Sequence, residues 1–350
     1  MQTKVVKIDS ANIDDAAMKE ACDLIRAGEL VAFPTETVYG LGADALHPEA
    51  SRKIYAAKGR PSDNPLIVHI SKFEDLVSIA KEVPPQAKKL ADAFWPGPLT
   101  MIVWKNDKVP YETTGGMDTV AIRMPKHPVA LRLIEGSGCL IAAPSANTSG
   151  RPSPTEAFHV ALDMDGRIPM ILDGGPVRIG IESTIVDLSE ETPMILRPGY
   201  ITQEMLQEVL GEEVCMDPGI IAADSTRKPK APGMKYKHYA PKADLVLVEG
   251  ETDKVVARIN ELVKEKQQLG QKVGVIATDE TFSRYEADHV VSIGARVDED
   301  AIARHLYKIL REFDDWNVDA IYSESFATPR IGQAIMNRLL KAAGHQVIPV

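Results

Sequence analysis

Short apolar runs alternate with helix-period segments from the N-terminus onward, and this alternation constrains the fold more than any other feature. Residues 5–8 read as a strand. Residues 12–27 read as a helix, apolar at Ala17, Ala21, Leu24 and Ile25, with Gly28 as its stop. Further strands are expected at 30–33, 66–70, 99–104, 120–124, 140–143, 170–172, 183–188 and 194–197. Helices are expected at 49–57, 73–80, 85–94, 128–135, 155–164 and 203–210. For the helix over 155–164, Ser153 is the expected N-cap, Pro154 suits the first helical position, and Glu156 would complete a capping box. Many neighbouring strands have no helix between them, so the class is α/β with a mixed sheet rather than a parallel one.

The texture changes after residue 212. From Asp217 the chain carries Pro218, Pro229, Pro232 and Pro241 without sustained periodicity. A second, smaller α/β pattern starts at Asp244, with strands at 245–248, 273–277, 290–293, 320–322 and 347–348 and helices at 253–268, 298–313 and 332–343. The division is therefore a catalytic-sized domain over 1–212, an extended basic linker over 213–243 and a C-terminal domain over 244–350. The last contains no Gly-rich phosphate loop, and no nucleotide site of its own is expected there.

Totals exclude several classes. The net charge of −10 argues against broad, sequence-independent nucleic-acid binding, which needs a continuous cationic surface. Cys22, Cys139 and Cys215 form no C-x-x-C pair and read as reduced structural thiols, and the histidines show no zinc spacing. No apolar run approaches the roughly 18 residues needed to cross a bilayer, and the first residues lack an apolar signal core. A cytoplasmic protein with no membrane partner is expected.

The stretch Gly40-Leu41-Gly42-Ala43-Asp44-Ala45 fits the dinucleotide pattern G-x-G-x-x-G/A after an apolar run. However, Pro34-Thr35-Glu36-Thr37-Val38-Tyr39 intervenes before the first glycine, and the ribose-binding acid would fall near Asp63 inside a basic loop. The match reads as accidental; the glycines are expected in a turn beneath a substrate, with Thr37 as a pocket wall. No P-loop motif exists.

Cations and hydroxyls gather at strand ends. Lys58 and Arg60 flank Gly59 ahead of Asn64 and could contact phosphate oxygens, or form a solvated basic turn. His69 is either a satisfied core residue or a ligand. Arg123 ends an apolar strand before Pro125, so it must be paired structurally or face a cleft. Ala143, Ser145, Asn147 and Ser153 belong to a strand–loop–helix segment offering N–H groups and hydroxyls to an anion. Ser183 and Arg197 repeat the theme, with ordinary strand-end polarity as the alternative. Ser145 lacks a nucleophile elbow, so the substrates would supply the reacting groups while the protein positions them, as in nucleotidyl transfer. The linker has Arg227, Lys228, Lys230, Lys235, Lys237 and Lys242 interleaved with Tyr236, His238 and Tyr239, a composition suited to a lid over an anionic cleft.

Seven ordered motifs, PTETVYGLGADA, KGRPSDNPLIVHI, RMP, APSANTSGRPSPT, ESTIVD, LRPG and APGMKYKHYAP, together resemble the threonylcarbamoyl-AMP synthase (YrdC-like) family in its long form. The resemblance spans nearly the whole chain. It implies a YrdC-like twisted mixed sheet with helices plus a Rossmann-like C-terminal domain. The implied reaction combines ATP, L-threonine and bicarbonate into threonylcarbamoyl-AMP and pyrophosphate, for threonylcarbamoyladenosine formation in tRNA. By matching motif, Thr37, His69, Arg123, Ser145 and Ser183 would surround threonine, with Arg123 on its carboxylate. Lys58, Arg60, Asn64, Thr119, Ala143, Asn147, Ser153, Arg197 and Tyr236 would hold ATP, and Lys58, Arg60 and Ser145 would bear on the chemical step. Mg²⁺ would be held through the phosphates, with no protein-built metal site. Proteins that transfer the threonylcarbamoyl group to tRNA are implied as partners, with weak direct tRNA contact conceivable. A double-stranded RNA-binding module without activity is the alternative, disfavoured by the net charge. A carbamoyl-adenylate enzyme of hydrogenase maturation would need acylphosphatase-like and zinc-finger segments absent from the sequence.

Overall fold

A computed structural model describes residues 2–220, 231–232, 238–326 and 330–350. The chain divides into two compact units, the first of residues 1–149, 153–178 and 182–235, the second of 150–152, 179–181 and 236–350.

The first unit carries strands β1 (Lys4–Lys7), β2 (Val31–Phe33), β3 (Gly40–Asp44), β4 (Ile67–His69), β5 (Leu99–Trp104), β6 (Thr119–Arg123), β7 (Ile141–Ala142), β8 (Met170–Asp173), β9 (Thr184–Asp187), β10 (Met194–Arg197) and β11 (Cys215–Met216). Helices α1 (Asp15–Arg26), α2 (Pro48–Lys58), α3 (Phe73–Ile79), α4 (Pro85–Phe94), α5 (Tyr111–Thr114), α6 (Pro128–Ser137), α7 (Ala157–Met164) and α8 (Gln203–Leu210) accompany them. The sheet order is β1-β8-β2-β3-β7-β4-β6-β5-β9-β10-β11. It is mixed: β2 runs parallel to β8 but antiparallel to β3, and β6 parallel to β4 but antiparallel to β5. Central strands are apolar on both faces because two cores cover them, one under α2, α3, α4 and α8 and the other under α1 and α6.

Three local expectations need correction. The glycines of Gly40–Asp44 lie in a strand, not a turn, paired as Phe33↔Gly40 and Val31↔Gly42. A Cβ on Gly42 would sit 2.7 Å from both Ile141 Cγ2 and Phe33 Cε1, so glycine is required by packing against Phe33 rather than by a phosphate. The capping box at Ser153 does not form. Helix α7 starts at Ala157 after Glu156, and the buried Ser153 hydroxyl donates instead to Glu182 Oε1 at 2.5 Å. A buried acceptor with a full charge outcompetes the weaker local cap. Thirdly, helix α1 starts at Asp15 rather than residue 12, because the Asp14 carboxylate accepts from Ala17 N at 2.7 Å and fixes the first turn.

Of the stretch expected as linker, Cys215–Met216 is strand β11, parallel to β10, and Pro218–Ile220 a 3₁₀ turn. Lys228, Lys230, Lys235, Tyr236, Lys237 and Arg227 lie outside the described residues.

The second unit has strands β12 (Asp244–Glu249), β13 (Val273–Ala277), β14 (His289–Ser292), β15 (Ala320–Glu324) and β16 (Val347–Pro349), ordered β14-β13-β15-β12-β16. All its pairings are parallel, with helices α9 (Thr252–Gln268), α10 (Glu299–Trp316) and α11 (Gly332–Ala342) in the connections. This is a small doubly wound α/β sheet.

Candidate active site

The carboxyl ends of the mutually parallel strands β4 and β6, and the segment that follows the oppositely directed β2, deliver the polar residues. Arg123 is the last residue of β6, in register with His69, the last of β4, and the segment Pro34-Thr35-Glu36-Thr37 follows β2. All are buried.

Arg123 makes three bonds: Nη2 to Glu36 Oε1 at 2.6 Å, Nη1 to the Thr37 hydroxyl at 3.0 Å, and Nε to the Gly97 carbonyl at 3.3 Å. A guanidinium has five N–H donors, so one on each terminal nitrogen has no protein acceptor among the described residues. Two N–H donors on one guanidinium can bind a carboxylate when they lie parallel. Of the two alternatives from sequence, the structural pairing is present, and it leaves two donors of the same side chain over.

Hydroxyl directions follow from the neighbours. Thr35 Oγ1 donates to Val38 O at 2.7 Å, so at its 2.9 Å contact with Thr37 Oγ1 it must accept. The Thr37 hydroxyl therefore gives its proton to Thr35 and accepts from Arg123, and toward a ligand it can act only as an acceptor. His69 contacts Ile67 O through Nδ1 at 3.2 Å and meets Phe33 edge-on. Burial, reinforced by the Arg123 charge, pushes its pKa down to about 3, so it is a neutral polar group at physiological pH and a poor proton acceptor.

The loop after β7 is pinned from below. Lys58, the buried last residue of α2 before left-handed Gly59, donates its ammonium to the carbonyls of Ser145 and Asn147. Ser145 Oγ donates to Asn147 Oδ1 at 2.5 Å, and Ala143 N to Ile67 O at 2.8 Å. Arg60 holds its own loop through Asn64 O at 3.2 Å and Pro65 O at 3.0 Å. These two cations therefore shape the backbone around the site as well as carrying charge to it.

A second group comprises Ser183, whose hydroxyl lies 2.8 Å from Thr100 Oγ1, and Arg197, which donates to the Ser183 carbonyl at 3.0 and 3.1 Å and to its hydroxyl at 3.2 Å. Segment 97–100 joins the groups, since Gly97 O receives Arg123 and Pro98 O receives Thr184 N at 3.0 Å. Thr119 opens β6, about 13 Å along the strand from Arg123 at 3.3 Å per residue, so it belongs to a different part of any shared ligand.

This is the geometry of a positioning site, rich in fixed donors. Comparison with known proteins follows the same lines. Residues 23–199 match the Sua5/YciO/YrdC family, described as telomere recombination, and residues 201–344 match the C-terminal domain of threonylcarbamoyl-AMP synthase. The threonylcarbamoyl-AMP synthase of Pyrococcus abyssi is 51% identical over 338 residues, covering 97% of each chain. The chain belongs to the threonylcarbamoyl-AMP synthase family. The Bacillus subtilis member is likewise 51% identical, over 97% of this chain and 96% of its own. The crystal structure of P. abyssi Sua5 complexed with L-threonine superposes with a TM-score of 0.94 at 49% identity, covering 99% of this chain and all of that one.

Within the family reading, Thr37, His69 and Arg123 stand together, Ser145 shares a β-bridge with Gly40 next to them, and Ser183 is joined through 97–100. Tyr236 lies outside the described residues. Glu36 and Glu182 escaped the sequence reading. The signal for Glu36 was present: a buried Arg requires an acid, and PTET supplies one.

Proposed function

We propose that this family member is an ATP-dependent nucleotidyltransferase that condenses L-threonine and bicarbonate, or CO₂, with ATP to threonylcarbamoyl-AMP and pyrophosphate. The observation that supports it most directly is the Arg123 guanidinium, fixed on three sides with one donor left on each terminal nitrogen, as recognition of an amino-acid carboxylate requires. Thr37 then accepts from the substrate amine or hydroxyl, with neutral His69 beside it.

The amine forms an N–C bond to CO₂, giving a carbamate and releasing a proton. The carbamate oxygen attacks the α-phosphorus, the bond to the bridging oxygen breaks, and pyrophosphate leaves with that electron pair. The protein's part is orientation and charge balance, from Lys58, Arg60, Asn64, Asn147, Ser153 and Arg197 around the nucleotide. Among the described residues no group of three or more His, Cys, Asp or Glu side chains is placed to hold a metal ion. The buried acids near the site are committed, Glu36 to Arg123 and Glu182 to Ser153. A Mg²⁺ ion carried on the triphosphate would neutralise phosphate charge there. The labile product suits a following reaction that passes the threonylcarbamoyl group to an acceptor, which the family reading takes to be an adenosine of tRNA.

The test is pyrophosphate release from ATP, bicarbonate and Mg²⁺ with and without L-threonine. Release should depend on threonine; equal release without it sinks the reading.

A further inference from the structure

We infer that Glu36 is the positioning residue for substrate carboxylate recognition: it sets the plane of the Arg123 guanidinium so that the two unspent donors face the ligand. The inference rests on the reading of Arg123 as the carboxylate-binding residue.

Both partners of the Arg123–Glu36 pair are nearly inaccessible, with side chains 5% and 7% exposed and the bond at 2.6 Å. Glu36 is itself tied down, because its other oxygen accepts Lys126 N at 3.0 Å, three residues beyond Arg123 on the segment leaving β6. The carboxylate therefore bridges the end of the strand that carries Arg123 and the loop that carries Thr37. Thr37, the next residue, fixes the second terminal nitrogen, and Thr35 fixes Thr37. Arg123 is thus gripped through two consecutive residues of one loop, and the guanidinium plane follows that loop.

Charge points the same way. The buried pair is neutral overall, so a zwitterionic amino acid can load without adding net charge to a dry site, and the receptor for its carboxylate exists before the ligand arrives. Without Glu36, the cation would lose its fixed partner and the long, flexible side chain its orientation. A buried arginine that served only as a strut would have its donors satisfied; this one leaves two.

Calorimetry with the full chain tests the role, using L-threonine, L-threonine amide and ATP as separate probes. Glu36→Gln should weaken L-threonine binding by about ten- to hundredfold, the loss of a charge-assisted bond. ATP binding should stay unchanged, and the preference for threonine over its amide should collapse. Glu36→Asp, which keeps the charge in the buried site, should fall between wild type and Gln, and serves where the Gln variant fails to fold. Adding Glu36→Gln to Arg123→Ala should cost nothing further, since Glu36 acts through Arg123. Equal losses for threonine and its amide, or an additional loss in the double variant, would overturn the inference. Wild-type protein that binds threonine while Glu36→Gln binds it equally well overturns the inference alone. Wild-type protein that binds no threonine overturns the functional reading and the inference with it.

Discussion

Each unit of the molecule pairs a buried glutamate with an arginine at the carboxyl end of a parallel strand, and the two pairs are used in opposite ways. In the first unit the strand end carries the cation. Arg123 spends three donors on Glu36, Thr37 and Gly97 and keeps two. In the second unit the strand end carries the anion. Glu324, the last residue of β15, receives Thr281 and Tyr285 on one oxygen and Arg296 on the other. Arg296 also reaches the Ser325 carbonyl at 3.0 Å, and its backbone N–H is held by Glu280. Burial and the neighbouring Glu324 charge push the Tyr285 hydroxyl far above its usual titration range, which keeps it a donor. Arg296 leaves three donors over, but its side chain is 35% exposed and water can take them, whereas Arg123 leaves two on a side chain that is 5% exposed. Ion pairing by itself therefore does not mark a site; donors left over on a buried cation do.

The largest expected effect separates the two pairs directly. Arg123→Ala should lower threonine-dependent kcat/KM by about 10²–10³-fold, the range for losing a preorganised charged donor. Its effect on the denaturation midpoint should be secondary. Arg296→Ala should do the reverse. It leaves the nearly inaccessible Glu324 carboxylate short of its cation, which costs about 2–3 kcal/mol. That is below the usual range for a buried pair because the Arg296 side chain is 35% exposed and partly screened. Its kcat/KM should stay within about twofold of wild type, because the bonds Arg296 makes are to Glu280, Glu324 and Ser325 and to none of the site residues. Urea titration and pyrophosphate release, run on both variants, check the pairing. If Arg296→Ala silenced catalysis while Arg123→Ala merely unfolded the chain, the distinction between a buried cation with donors to spare and a half-exposed one would collapse.

The sequence disclosed the two α/β units and most elements, because an apolar run of strand length next to a helix-period segment admits few alternatives. Strands β10 and β13 and helix α8 have the bounds read from periodicity alone. It failed where a distant partner overrides local preference. Ser153 looks like an N-cap until Glu182, 29 residues away, competes for its hydroxyl. Gly40 and Gly42 look like turn residues until the ring of Phe33 is laid across them. Helix α5 is four residues long, too short for any period to show. In the site, the hydroxyls and cations were legible by type, but their directions were not. That Thr37 accepts rather than donates depends on where Thr35 sends its proton. Lys58 illustrates the same limit, since its composition suggests a phosphate ligand while its ammonium also clamps the carbonyls of Ser145 and Asn147.

The smallest effect sharpens the contrast through proton linkage. His69 is held neutral beside Arg123, with its folded-state pKa near 3 against about 6.5 in the unfolded chain. A depressed folded pKa means that the unfolded state takes up the proton first as pH falls. The stability His69 supports is therefore complete above pH 6.5 and erodes as pH drops toward 3, approaching a slope of about 1.4 kcal/mol per unit. By pH 5 the loss should reach about 2 kcal/mol. Burial lowers His127 as well, so the wild-type curve contains a second contribution in this window, and the useful quantity is a difference. Urea unfolding of wild type and His69→Gln at pH 7.5, 6 and 5 supplies it. The gap between the two proteins should narrow as pH falls, because the amide has no proton to gain. A gap independent of pH would mean that His69 titrates alike in both states, and that the carboxyl end of β4 is wetter than its burial implies.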